Sequence, residues 1–277
     1  MPPIAEGLRH APARAPNRAL AVSLAAWARH PLTLRILSFT VALAAWEYAG
    51  RLPVSPSFPP FSETFMAFAG MVADGSLIRA FGITLVPLAI GILISALIGI
   101  ALGVAMGLSE KVEWFGVPLF IVMQSAPLAA LVPLLVLAYG IGNTTKVFVV
   151  CIMAMPVIVL NSFKAVRHTP KSLLEMGRSF MGRQGQLILK IILPSATPVI
   201  FAGLRLGTAA GFVGAILAEL LVTPTGVGDI ITYNQSIAEY PKMYAAIAAV
   251  IVVSVLFIEF LGWIEQHFLR PEKRGSK

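Results

Sequence analysis

The chain has 277 residues, 57% hydrophobic and 12% charged, with a mean hydropathy of +0.84 and a formal net charge of +8. A soluble domain of this length is not so apolar, and the apolar runs are long rather than alternating, which excludes a lipid-facing barrel and leaves an all-α, polytopic membrane protein. The basic excess sits between apolar runs without interleaved aromatics, so it marks topology and not a nucleic-acid partner.

Residues 1–32 form a basic N-terminal segment, read as a tail or a surface-lying amphipathic stretch in preference to a cleaved signal peptide. Six spans follow, each near the roughly 20 residues that cross about 30 Å of hydrocarbon. They are expected near 33–50, 81–107, 117–139, 147–165, 197–221 and 244–268. The second and third are the clearest, because no charge falls between Arg79 and Glu110 or between Glu113 and Lys146. The first is short and contains Glu47.

In the second span Gly91, Ser95, Gly99 and Gly103 recur every fourth position, the spacing of a close helix seam. A seam within the bundle is preferred here to a dimer contact. Gln124, Pro127 and Pro133 interrupt the third span, and Gly140 and Gly142 its exit. Such breaks are tolerated where backbone lines a cavity, which makes Gln124 and Pro127 pathway candidates, with a simple kink as the competing reading. Cys151 lies in an apolar run and is read as space-filling.

Sixteen of the 21 Lys and Arg residues fall in segments that are cytoplasmic if both termini are inside, and four fall outside, among them Lys146. Arg205 is left within the fifth span, able to snorkel or to pair with Glu259 or an inner loop. Residues 166–194 are thereby a cytoplasmic loop, and 269–277 a cytoplasmic basic tail.

That loop carries helical signals of its own. Ser172 and Glu175 have capping-box spacing, and Pro170 precedes them. Leu173, Gly177, Phe180 and Met181 recur on one apolar stripe, and Gly182 and Gly185 close it. A short amphipathic helix with a glycine for close approach suits insertion into a groove on another protein.

Sites for chemistry are sparse. There is no Gly-Lys pair for a nucleotide-cradling loop, no Cys or His cluster with metal spacing and no G-x-S-x-G elbow. No cofactor is therefore assigned to this chain. Glu219, near the outer end of the fifth span, is the sharpest acidic candidate for the pathway, although one carboxylate without partners makes a poor proton relay.

Glu175 to Met181 (EMGRSFM), followed by I-x-L-P from Ile191 to Pro194, resembles the E-A-A loop of permease subunits of bacterial ABC importers. Met176 and Gly177 replace its alanines, and Met181 stands at its usual glycine, with Gly182 one place late. The likeness extends over roughly 52–268 and is to the nitrate, sulfonate, taurine and pyrimidine-precursor branch. It implies the fold of a type I importer permease in the bacterial inner membrane. It further implies a second permease subunit, a cytoplasmic ATPase pair that binds the ATP, and a periplasmic solute-binding protein. Ser172, Leu173, Glu175, Met176, Gly177, Phe180, Met181 and Gly182 would then carry ATPase coupling. A proton-coupled secondary carrier and a membrane-embedded enzyme are the competing readings.

Overall fold

The computed structural model describes residues 31–268 except 53, 54, 56, 223 and 224. The expected basic segment 1–32, beyond its last two residues, and the tail 269–277 lie outside them. The chain divides into two compact units, 1–61 and 62–277.

In the first unit α1, Pro31–Arg51, is the helix expected near 33–50. Arg51 reaches back one turn to Glu47 at 2.6 Å, which answers the acidic residue inside that run. The Trp46 indole donates to the Pro59 carbonyl at 3.1 Å and meets Phe58 and Phe61 edge-on or tilted.

The second unit holds α2, Phe61–Ala73, from its second residue on. The turn after it ends on Gly75 at φ 73°, and the Asp74 carboxylate accepts from the Ser76 amide at 2.8 Å, starting α3, Ser76–Leu108. After Ser109 comes α4, Glu110–Ser125, with Glu110 and Glu113 in its first turn, where acidic side chains favour a helix start. The expected third span, 117–139, is not one straight helix. It is α4 followed by α5, Leu128–Tyr139, bent by 97° at Ala126 and Pro127, because proline supplies no amide to carry the ladder across.

Next come α6, Asn143–Arg167, and a loop holding α7, Lys171–Ser179, and α8, Gln184–Leu187. A π-turn over Ile188–Ile192 runs directly into α9, Leu193–Leu221. The short α10, Gly226–Ser236, and the final α11, Tyr240–Phe268, complete the described residues. Among them, four segments are long and apolar enough to cross a membrane (α3, α6, the run ending in α9, and α11), and the bent α4–α5 pair, a broken span or a re-entrant loop, brings the count to five at most. With Arg35 and Glu47 inside it, α1 is not among them, so six crossings are an upper count.

At the centre is α6, with Val149, Val150, Ala154, Ile158 and Val159 fully buried. In lipid, apolar side chains gain little by leaving the solvent, so close van der Waals contact has to hold helices together. The glycine row on α3 supplies that contact. A Cβ on Gly91 would lie 2.6 Å from Val150 Cγ1, and one on Gly103 would lie 2.5 Å from Ser162 Cβ and the Val159 carbonyl. The expected intramolecular seam is thus the α3–α6 interface. In α9, Gly203, Gly207 and Gly214 face Asn161, Ile158 and Met153 of α6 in the same way. A separate core joins Met71, Leu77 and Ala80 to Val227 and Ile231 of α10 and to Ala245, Ala246 and Ala249 of α11.

Candidate functional site: a docking loop and a buried polar knot

The α6–α9 loop, the candidate docking element, begins where α6 ends at Arg167. Pro170 occupies the cap position of α7, and its carbonyl accepts from the Leu173 and Leu174 amides at 3.1 and 3.4 Å. The expected Ser172–Glu175 capping box does not form. Ser172 is already inside the helix and both residues point to solvent, because Pro170 sets the helix start two residues earlier. The reciprocal half of such a box appears one element later, where the Arg183 amide donates to Gln186 Oε1 at 2.9 Å.

The apolar stripe divides between two faces. Gly177 is buried, and a Cβ there would collide with Leu187 Cδ2 and Ile191 Cδ1, while Leu173 is half-buried. Met176, Phe180 and Met181 point away, Phe180 82% and Met181 92% exposed. The loop folds back because the helix closes on a left-handed residue. Met181 has φ 55°, and the Gly182 amide donates to the Gly177 carbonyl at 3.1 Å, the six-to-one bond of a Schellman closure. The position that E-A-A loops usually fill with glycine is thus a left-handed one, and methionine fills it here. Closure comes at Met181 and Gly182; Gly185 is inside α8.

The second feature lies at the far ends of α6 and α9. Lys146 and Glu219 form an ion pair of 2.7 Å with side chains 1% and 0% exposed. Lys146 also donates to Thr225 Oγ1 at 2.9 Å. Glu219 accepts from the Thr84 hydroxyl at 3.0 Å and from the Gly228 amide at 3.0 Å, and the Thr84 hydroxyl in turn accepts from the Val227 amide at 3.0 Å. Every charge and donor named here is answered within the protein, as burial requires. Lys146, counted from sequence as an outer-loop charge, is instead sealed inside the bundle. Its signal was present only as a cation four residues into an apolar helix.

Gln124 and Pro127 are exposed beside the α4–α5 bend, while Glu219 is buried. The bend and the knot adjoin through Leu128 and Val132, which share a buried cluster with Val149 and Ala218. Arg205 pairs with Glu265 at 3.2 Å and not with Glu259. A cavity of about 660 Å³ between α9 and α11 is lined by Arg205, Glu259 and Trp263 among apolar residues and Gly262.

The described residues thus form a bundle of glycine-seamed apolar helices, with a folded helical loop joining α6 to α9. Residues 95–270 match the family described as binding-protein-dependent transport system inner membrane component, and the chain belongs to that family. It is 28% identical over 232 residues to the putative aliphatic sulfonates transport permease protein SsuC of Bacillus subtilis, covering 83% of this chain and 84% of that one. It is 27% identical over 239 residues to the taurine transport system permease protein TauC of Escherichia coli, covering 83% and 86%. In solved structures the fold is similar to a chain of the MetNI methionine ABC transporter, with a TM-score of 0.56 at 20% identity, over 67% of this chain and 92% of that one.

Proposed function

We propose that this permease subunit forms the translocation pathway of an ATP-driven importer and takes its solute from a periplasmic binding protein. ATP is bound and hydrolysed by a separate cytoplasmic ATPase pair, and a second copy of the chain completes the pathway. Both termini are cytoplasmic, as the Lys and Arg distribution favours. The solute is a small organic or inorganic anion of the nitrate, sulfonate or taurine kind, or a pyrimidine precursor, in keeping with the names of the relatives.

One observation carries the coupling role: α7 keeps Gly177 against the body of the protein and turns Met176, Phe180 and Met181 outward together. Exposed side chains of this size at the end of a short helix suit a groove on a partner. ATP shifts the inward and outward states only if the ATPase binds them differently, and α7 is where that difference is felt. Ser172, Glu175 and Gly182 frame the same contact.

The test is reconstitution of the chain in liposomes with a cytoplasmic ATPase pair and a periplasmic binding protein of this importer class. Uptake is expected to require internal ATP and to survive a protonophore. Uptake that outlasts ATP depletion and collapses with the proton gradient would return the chain to the secondary-carrier reading, which none of the relatives supports.

A further inference from the structure

A buried ion pair is weak evidence for stability, since desolvation offsets its attraction, and the proposed coupling through α7 makes no use of this one. What the Lys146–Glu219 pair does is join elements. Lys146 belongs to α6, Glu219 to α9 and Thr84 to α3, and the amides they satisfy, Val227 and Gly228, open α10. At its own start α10 has no side-chain cap: Thr225 occupies the cap position but its hydroxyl is engaged by Lys146. The Val227 and Gly228 amides in its first turn are instead held by side chains from two other helices.

The inner ends of the same helices bound the docking loop, for α6 ends at Arg167 and α9 begins at Leu193. Lys146 stands 21 residues from Arg167 along one continuous helix, roughly 30 Å at 1.5 Å per residue. Between the two ends α6 and α9 are in glycine-to-side-chain contact and cannot slide independently.

On the importer reading, we propose that Lys146, Glu219 and Thr84 are positioning residues that latch the start of α10 to the outer ends of α6, α9 and α3. A displacement delivered at α7 then reaches α10 at the outer side. Their task is transmission and not solute contact. The glycines of α10 fit the same role, since Gly226 at φ 79° brings the chain onto the Glu219 carboxylate and the Thr84 hydroxyl too closely for any Cβ.

The test uses the transporter assembled with its ATPase and binding protein, in a Cys151→Ser background with Ser236→Cys as a maleimide reporter at the exposed end of α10. In that background, labelling is expected to differ between the nucleotide-free and vanadate-trapped states. Thr84→Val keeps volume and every charge; it is expected to flatten that difference and to lower solute moved per ATP at least tenfold while hydrolysis continues. Thr84→Ser, which restores the hydroxyl, is expected to restore both. The doubly neutral Lys146→Met, Glu219→Gln chain is expected to behave as Thr84→Val does, and the Thr84 pair alone decides the matter if that chain does not assemble.

Wild-type labelling and wild-type solute per ATP in Thr84→Val overturn the latch, and so does an equal loss in Thr84→Ser, which would mark a packing role. A parent transporter that moves solute without ATP overturns the importer reading instead, so the two failures are distinct.

Discussion

The Gly182 amide reaches back across Met181 to the Gly177 carbonyl at 3.1 Å, and Met181 pays for that closure with a φ of 55°. A non-glycine residue in this region costs roughly 1–2 kcal/mol. Met181→Gly is expected to strengthen the end of α7 by about 1 kcal/mol, less the added chain entropy of glycine. Met181→Val is expected to weaken it, because a β-branched side chain tolerates positive φ worst. Hydrogen exchange at the Gly182 amide reads both. Because the Met181 side chain is almost wholly exposed, Met181→Gly is also expected to weaken ATPase copurification. Unchanged copurification would remove Met181 from the contact.

Gly177 faces Leu187 and Ile191, whose far ends can yield slightly to a methyl but not to a carboxylate. Gly177→Ala is expected to retain part of the uptake. Gly177→Asp is expected to insert normally in the membrane yet uncouple ATP hydrolysis from uptake. Uptake and copurification both unchanged in Gly177→Asp would end the docking role of α7.

Neutralising one member of the buried pair strands the other. Lys146→Met alone leaves the Glu219 carboxylate in an apolar interior, a loss of about 3–5 kcal/mol, whereas adding Glu219→Gln removes the stranded charge. Thermal unfolding of the purified chain in detergent is expected to rank the single variant below the double one. The reverse order would mean that water reaches the pair.

The α3–α6 seam separates two kinds of glycine. Gly103→Val places methyls against the Ser162 side chain and the Val159 carbonyl, which is backbone and cannot swing aside, and is expected to cost more than the usual 1–3 kcal/mol of overpacking. Gly82→Ala on the same helix has open space around it and is expected to gain up to about 1 kcal/mol from helix propensity. Protease resistance of the two variants in membranes distinguishes them.

What was legible in the chain was whatever depends on neighbours in sequence. The apolar runs of α3, α6, α9 and α11, the glycine row at 91, 95, 99 and 103, and the break at Pro127 are local patterns, and each has its counterpart in the structure. The helix α7 was legible as a helix but not in its facing, because one helical stripe of Leu173, Gly177, Phe180 and Met181 is cut by the turn that starts at its far end. The polar knot was not legible. Thr84 and Lys146 stand 135 and 73 residues from Glu219, and no periodicity within one helix links a cation, a hydroxyl and a carboxylate on three. Counting charges by segment even pointed the wrong way for Lys146, since a buried cation near a helix start and a loop cation look alike in one dimension.

The two flanks of α6 give the molecule a mechanical character. Stiffness here comes from side chains that are absent: the glycines of α3 and α9 take α6 side chains directly against their own backbones, and the three helices flex as one plate. A plate of that kind has no soft interior in which to absorb a push. Deformation is left to the places where the helical ladder is already irregular, the corner at Ala126 and Pro127 and the widened turn at Ile188–Ile192. One of these lies next to α7 and the other beside the Lys146–Glu219 knot, so the elastic elements of the chain sit at the two ends of its rigid one.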